Sequence, residues 1–93
     1  METVVVTRHE TLVEYLVEEG IIDGTEVVLK HVEVDEVKGK NVIGILPLSL
    51  AAETSTITEV PLALPPEMRG KELTIEDIRK YAGDPVTYRV QKI

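Results

Sequence analysis

With 93 residues and a net charge of -7, from 17 acidic and 10 basic side chains, the chain is the size of one small domain. It lacks the basic footprint of a general duplex DNA or RNA binder. There is no cysteine, which removes disulfides and thiolate metal sites and fits a reducing compartment. The longest apolar runs fall far short of the ~18 residues that a membrane span needs, and no stretch has the form of a signal peptide. A soluble cytoplasmic protein with one domain, residues 1–93, is the expectation.

In chain order, Thr3–Val6 is a continuous β-branched run and reads as a buried parallel strand. Thr7-Arg8-His9-Glu10 follows, then a helix with Leu12, Val13, Leu16 and Val17 on its inner stripe. Two capping boxes compete for its start, Thr7 with Glu10 and Thr11 with Glu14. Gly20 is the expected residue just past its end. Asp23-Gly24 signals a turn. Glu26–Val34 alternates in part and reads as a second strand. Asp35–Lys40 is a polar connection with room for one helical turn before Gly39. Asn41–Leu46 is the most apolar strand, and Gly44 inside it marks the close approach of another backbone or a ligand.

Pro47 opens a short helix, Leu48–Thr54, at a position where a missing N–H costs nothing. Thr56–Leu64 reads as the fourth strand, with Pro61 pushing it toward an edge or an irregular end. Residues 65–70 form a loop. Thr74 caps a helix from Ile75 to about Ala82, Gly83 ends it, and Asp84-Pro85 is a turn. Val86–Ile93 is a last strand whose direction the pattern leaves open. Strands separated by helices imply parallel pairing and right-handed crossovers. The fold class is therefore α/β: a compact Rossmann-like, mostly parallel sheet of about five strands with flanking helices.

In such sheets ligands bind beyond the carboxyl ends of the strands. Thr7, Arg8 and His9 stand at that edge beside a helix N-terminus, where an arginine forks onto a phosphate and a histidine moves a proton near neutral pH. The same residues also suit a capped helix start with two exposed polar side chains. At Pro47–Glu53, the backbone N–H groups of Leu48, Ser49 and Leu50 could line an oxyanion or phosphate site, with the Ser49 hydroxyl as a further donor. The alternative there is a plain strand-to-helix turn with a buried Leu48. Arg69 and Lys71, after a double proline, either fold over the same edge or are simply solvated. His31, near the end of the second strand, reads equally as a ligand contact and as a satisfied or exposed histidine. The nucleophile elbow Gly-x-Ser-x-Gly, the dinucleotide fingerprint and the glycine-rich phosphate loop are missing from the sequence. Two histidines in different elements without cysteine match no zinc pattern, so no metal site is expected.

The order of segments is similar to a known family. Val6-Thr7-Arg8-His9 is followed by Glu14-Tyr15-Leu16 and then by Asn41-Val42-Ile43-Gly44-Ile45-Leu46-Pro47. Leu50-Ala51-Ala52-Glu53 comes next, and Leu62-Ala63-Leu64-Pro65-Pro66-Glu67-Met68-Arg69-Gly70-Lys71-Glu72-Leu73-Thr74 completes the series. Together they closely resemble the Csx-sixteen family, small accessory proteins of type III CRISPR systems. The specific parts are Val-Ile-Gly-x-Leu-Pro and Pro-Glu-x-Arg-Gly-x-Glu-Leu.

The resemblance implies a Rossmann-like domain related to the CARF sensor domains, and a ring nuclease that cuts cyclic tetra-adenylate without metal or cofactor. It also implies a homodimer with the ring across its twofold axis, and no duplex nucleic acid or membrane partner. Residue by residue, it places Arg8 and His9 in catalysis and Thr7, Pro47, Leu48, Ser49, Leu50, Arg69 and Gly70 in ligand binding. Ser49 stands where relatives carry a larger polar residue such as His or Asn, and the family's cysteine after Ala-Ala-Glu is absent. The other readings are a non-catalytic binder of the same messenger and a protein-interaction accessory.

Overall fold

A computed structural model describes residues 2–93. Its elements run β1 (Thr3–Val6), α1 (Glu10–Glu18), β2 (Val27–Leu29), α2 (Val34–Val37), β3 (Asn41–Gly44), α3 (Leu48–Ala51), β4 (Thr56–Glu59), a 3-10 turn (Pro66–Met68), α4 (Ile75–Tyr81) and β5 (Val86–Tyr88). The strands form one sheet in the order β2-β1-β3-β4-β5. β1 to β4 are parallel, and β5 is antiparallel to β4. This is the mostly parallel, Rossmann-like α/β sheet that the alternation of strands and helices implies.

The central strands are buried on both faces, as continuous β-branched runs require. Val4 and Val42 are register partners, as are Val5 and Ile43, and all four are buried. Because side chains alternate across a strand, the two pairs point to opposite faces. On one face Val5 and Ile43 meet Leu16 of α1, Ile22 and Val60 in a single apolar cluster. Val4 and Val42 face the other way. The chain steps from β1 outward to β2, then back across to β3 and on to β4. Right-handed crossovers therefore put α1 on one face and α2 and α3 on the other. Val37 of α2 and Ala51 of α3 are the buried residues of those two helices.

The end of α1 forms as its glycine dictates. Gly20 takes φ +71, its N–H donates to the Val17 carbonyl, and the Ile21 N–H donates back to Leu16. That pair of bonds is the Schellman closure. The start of α1 differs from both expected capping boxes. His9 is the N-cap and no side chain caps the helix. The reason is local: the Thr7 hydroxyl accepts from the His9 N–H at 3.1 Å and is already committed. The expected cap at Thr74 does form, as a reciprocal box with Asp77.

Several elements end earlier than expected: β3 at Gly44 instead of Leu46, where the chain turns toward Pro47, α3 at Ala51 instead of Thr54, and β5 at Tyr88 instead of Ile93. The second strand stops at Leu29 instead of reaching Val34, because Glu33 and Glu36 close a capping box that turns the chain into α2. The fourth strand stops at Glu59, two residues before Pro61, and has neighbours on both sides. Pro61 therefore produced the irregular end and not an edge. β5 returns antiparallel because the chain around α4 folds back on the stretch after β4. Ala63 N–H donates to Tyr81 and Gly83 N–H to Pro61. That leaves only a short turn before Val86, where a parallel return needs a crossover of a dozen or more residues.

α1 and α4 are joined by a fork between Arg79 and Glu18, with Nε to Oε2 at 2.8 Å and the second guanidinium nitrogen on Oε1. Hydrogen bonding and charge from Arg79 hold the Glu18 carboxyl below its ordinary value. A carboxyl with a lowered native pKa stabilises the fold above its unfolded pKa and loses that contribution as the pH falls through the native value. The stability difference between the parent and Glu18→Gln should therefore be flat from about pH 6 to 8 and shrink below the ordinary 4.5 of the carboxyl. It should also shrink in about 1 M salt, since both groups are exposed. Denaturant melts across pH check this, and a difference that grows on acidification would contradict the pairing.

Candidate functional site

The switch point of the sheet lies between β1 and β3. From there the chain passes to α1 on one face and to α3 on the other, so no helix closes the crevice beyond the two strand ends. Open sheets with this strand order bind ligands at such a point. A cleft of about 510 Å³ opens there, within the size range of small-molecule sites. Its rim comes from Thr7, Arg8 and His9 after β1, from Lys30 and His31 after β2, and from Ile45, Leu46 and Pro47 after β3. Leu12, Ile43, Leu50, Val60 and Leu62 give it an apolar floor.

Register explains the convergence. Val6 pairs with Leu29 on one side and with Gly44 on the other. The Thr7 N–H extends the ladder one step, to the Leu29 carbonyl at 3.0 Å. Residues 7–9, 30–31 and 45–47 therefore leave the sheet at one level.

Gly44 has φ +144, and a Cβ built on it would lie 2.2 Å from the Val6 carbonyl oxygen. This is the close backbone approach expected of a glycine inside a strand. It lets β3 turn away toward Pro47 without pushing β1 aside.

The side chains divide sharply by charge. Arg8, His9, Lys30 and His31 are exposed, and no Asp or Glu stands among the cleft's lining residues, in a chain that carries 17 of them. Local positive charge on an acidic molecule attracts small anions, and the apolar floor suits a flat or aliphatic body attached to one.

Thr7 contributes by position. Its hydroxyl bonds the His9 N–H, which sets the turn that carries Arg8 and His9. No side chain caps α1, and its N-cap residue, His9, stands on the same rim.

Of the residues expected from sequence, the cleft gathers Thr7, Arg8, His9, Pro47 and Leu50. Leu48 and Ser49 line a second cleft of about 780 Å³, whose other walls include Ser55, Arg89 and Lys92. Leu48 is 77% exposed, not buried as a plain strand-to-helix turn would have it. The Leu50 N–H is taken by the Pro47 carbonyl at 3.0 Å, so it is not a free donor for an anion. Arg69 and Gly70 follow the 3-10 turn, are exposed, and line neither cleft. Lys30 escaped the sequence reading, and His31 was left undecided, for one reason. A strand drawn through Val34 buries both positions in a ladder, whereas a strand that ends at Leu29 delivers them to the carboxyl edge.

Among the described residues no group of three or more His, Cys, Asp and Glu side chains is arranged to hold a metal ion. Nor is any described helix long and apolar enough to cross a membrane.

Gly44→Ala tests the construction of the cleft. A Cβ at that φ and that distance forces the ends of β1 and β3 apart. A stability loss of at least about 1–3 kcal/mol is expected, with amide resonance shifts concentrated at Val6–His9 and Ile45–Pro47. A variant as stable as the parent, with an unchanged spectrum, would show that the strand ends do not depend on this contact.

Comparison with known proteins gives one match. The family model described as Putative CRISPR-associated protein (Cas_VVA1548) covers residues 4–91, which includes every segment of the cleft. Neither the curated proteins nor the solved structures contain a match to the chain. A match across nearly the whole sequence means that the chain belongs to the CRISPR-associated family Cas_VVA1548.

Proposed function

We propose that the cleft binds cyclic oligoadenylate, with cyclic tetra-adenylate as the first candidate, and cuts it as a ring nuclease that switches off type III CRISPR signalling. The observation that carries this reading is the lining, in which every ionisable side chain is cationic or an imidazole, on a protein of net charge -7. Family membership supports a CRISPR setting, and the resemblance to the Csx-sixteen proteins supports the ring messenger. Duplex nucleic acid would meet mostly acidic surface, whereas a small phosphodiester reaches the cleft.

The reaction is attack of a ribose 2′-oxygen on the adjacent phosphorus, with departure of the 5′-oxygen and formation of a 2′,3′-cyclic phosphate. It requires no metal or cofactor. It requires the 2′-oxygen in line with the leaving oxygen and stabilisation of the charge that builds on the phosphorane. Arg8 is the group for that charge, because its planar fork matches two phosphate oxygens. His9 is the group for proton transfer, a role worth roughly 10²–10⁴-fold.

Incubation with cyclic tetra- and hexa-adenylate, with and without EDTA, tests this by chromatography and mass spectrometry. Linear di-adenylate ending in a cyclic phosphate is expected with or without EDTA, and Arg8→Ala should slow its formation by about 10²–10³-fold. An intact ring that co-elutes with the protein would make it a sponge or sensor. An intact ring that never binds would remove the nucleotide reading.

The assembly in this reading is a homodimer. One cleft of about 510 Å³ suits a nucleotide better than a whole cyclic tetra-adenylate. Ile45 and Leu48, 74% and 77% exposed, stand beside its rim. A second copy seated there by a twofold axis buries both and brings two clefts to one ring. Sedimentation should give a dimer at micromolar protein with the ring present, and Leu48→Glu should shift it to monomer. A parent protein that stays monomeric with ring bound would overturn the dimer.

A further inference from the structure

We infer that His31 is a second catalytic residue of this cleft, the general acid that completes the reaction begun at His9, and that Lys30 holds the phosphate beside it. This rests on the ring-nuclease reading above. The chain has two histidines, 22 positions apart in sequence, and both line the same cleft. They arrive there on different strand ends, His9 after β1 and His31 after β2, at the level set by the Val6–Leu29 pairing. Attack by a 2′-hydroxyl needs two proton transfers at different oxygens, and imidazole is the side chain suited to both near neutral pH.

The step balances within the cleft. One imidazole takes the proton of the 2′-hydroxyl as the O2′–P bond forms. The other gives a proton to the 5′-oxygen as the P–O5′ bond breaks. The products are a 2′,3′-cyclic phosphate and a 5′-hydroxyl, and solvent resets the two rings. His9 stands next to Arg8 on the turn that Thr7 fixes, so the base is placed beside the group that holds the phosphorane. That leaves His31 as the acid.

The ionisable groups facing His31 are Arg8, His9 and Lys30. The β3–α3 segment and the stretch after β4 present only apolar or backbone groups to the cleft. Of the carboxylates nearest in sequence, Glu33 and Glu36 are tied into the cap of α2, Asp35 stands in the first turn of that helix, and Glu26 accepts from the Asp23 and Gly24 N–H groups; none lines the cleft.

Single-turnover cleavage of cyclic tetra-adenylate across pH tests the pair, with the parent, His9→Asn and His31→Asn compared. The parent should show a bell. His31→Asn should cut about 10²–10⁴-fold more slowly and lose the alkaline limb, which reports the protonated acid. Its affinity for the 2′-deoxy ring, which cannot react, should stay within a few-fold of the parent. A ring with sulfur in place of the bridging 5′-oxygen needs no acid to leave, so it should restore His31→Asn and not His9→Asn. Unchanged rate and pH profile in His31→Asn would overturn this role while the ring-nuclease reading stands. A slowed variant that sulfur does not restore would overturn the assignment as acid. A parent that leaves the ring intact would overturn both.

Discussion

The structure depends on the junction where β1 and β3 end together. Val6 and Gly44 are register partners there, with a backbone approach so close that no side chain fits between them. A buried parallel pair has to terminate somewhere, and here both strands stop at one level without a helix laid over them. Right-handed crossovers send α1 to one face of the sheet and α2 and α3 to the other. The gap that results cannot be filled by the chain's own helices. The turn at Gly44 then aims Ile45-Leu46-Pro47 outward and completes one wall. Cleft, switch point and close approach are therefore three views of one constraint.

Charge is arranged around that gap. Many carboxylates sit on helix surfaces and in caps, among them Glu14 and Glu18 on α1, Asp35 and Glu36 on α2, and Glu76 and Asp77 on α4. Several do structural work there, as Glu18 does with Arg79, Asp77 with Thr74 and Glu36 with the chain at Glu33. This leaves a mostly negative exterior with a cationic opening. Field lines from such an opening act on small anions that can approach it, while an extended polyanion also meets the net negative charge of the molecule. The size and charge of a fitting ligand follow from the same distribution.

Much of this was legible before any coordinates. β-branched runs gave the central strands, Gly20 and Thr74 marked helix ends through specific backbone bonds, and Gly44 announced a close approach. Legibility failed where a side chain had two partners to choose from, or where pairing depended on distant residues. Thr7 fits a capping box by spacing, but its hydroxyl bonds the nearer His9 N–H. β2 is an edge strand paired on one side, so the acidic cap of α2 won the residues after Leu29. That one boundary conceals Lys30 and leaves His31 with two readings. Ser49 and Leu48 turn toward the second cleft because α3 is a single turn whose two faces serve different cavities. Which face is which is a three-dimensional fact that spacing does not encode.

The composition of the rim separates holding an anion from transforming one. A cleft that only retains phosphate is served by Arg8 and Lys30, a planar fork and a compact point charge. Imidazoles add little to such binding, since a lysine in the same place carries a full charge. Their distinctive capacity is to hold or release a proton within the physiological range. Both histidines of the chain stand at this rim, on separate strand ends, and neither serves a metal cluster among the described residues. In the proposed reading, two such groups and two cations carry out proton-coupled displacement at phosphorus. Strand register brings the four side chains to one rim, an arrangement that the proposed ring nuclease needs and a sponge would not.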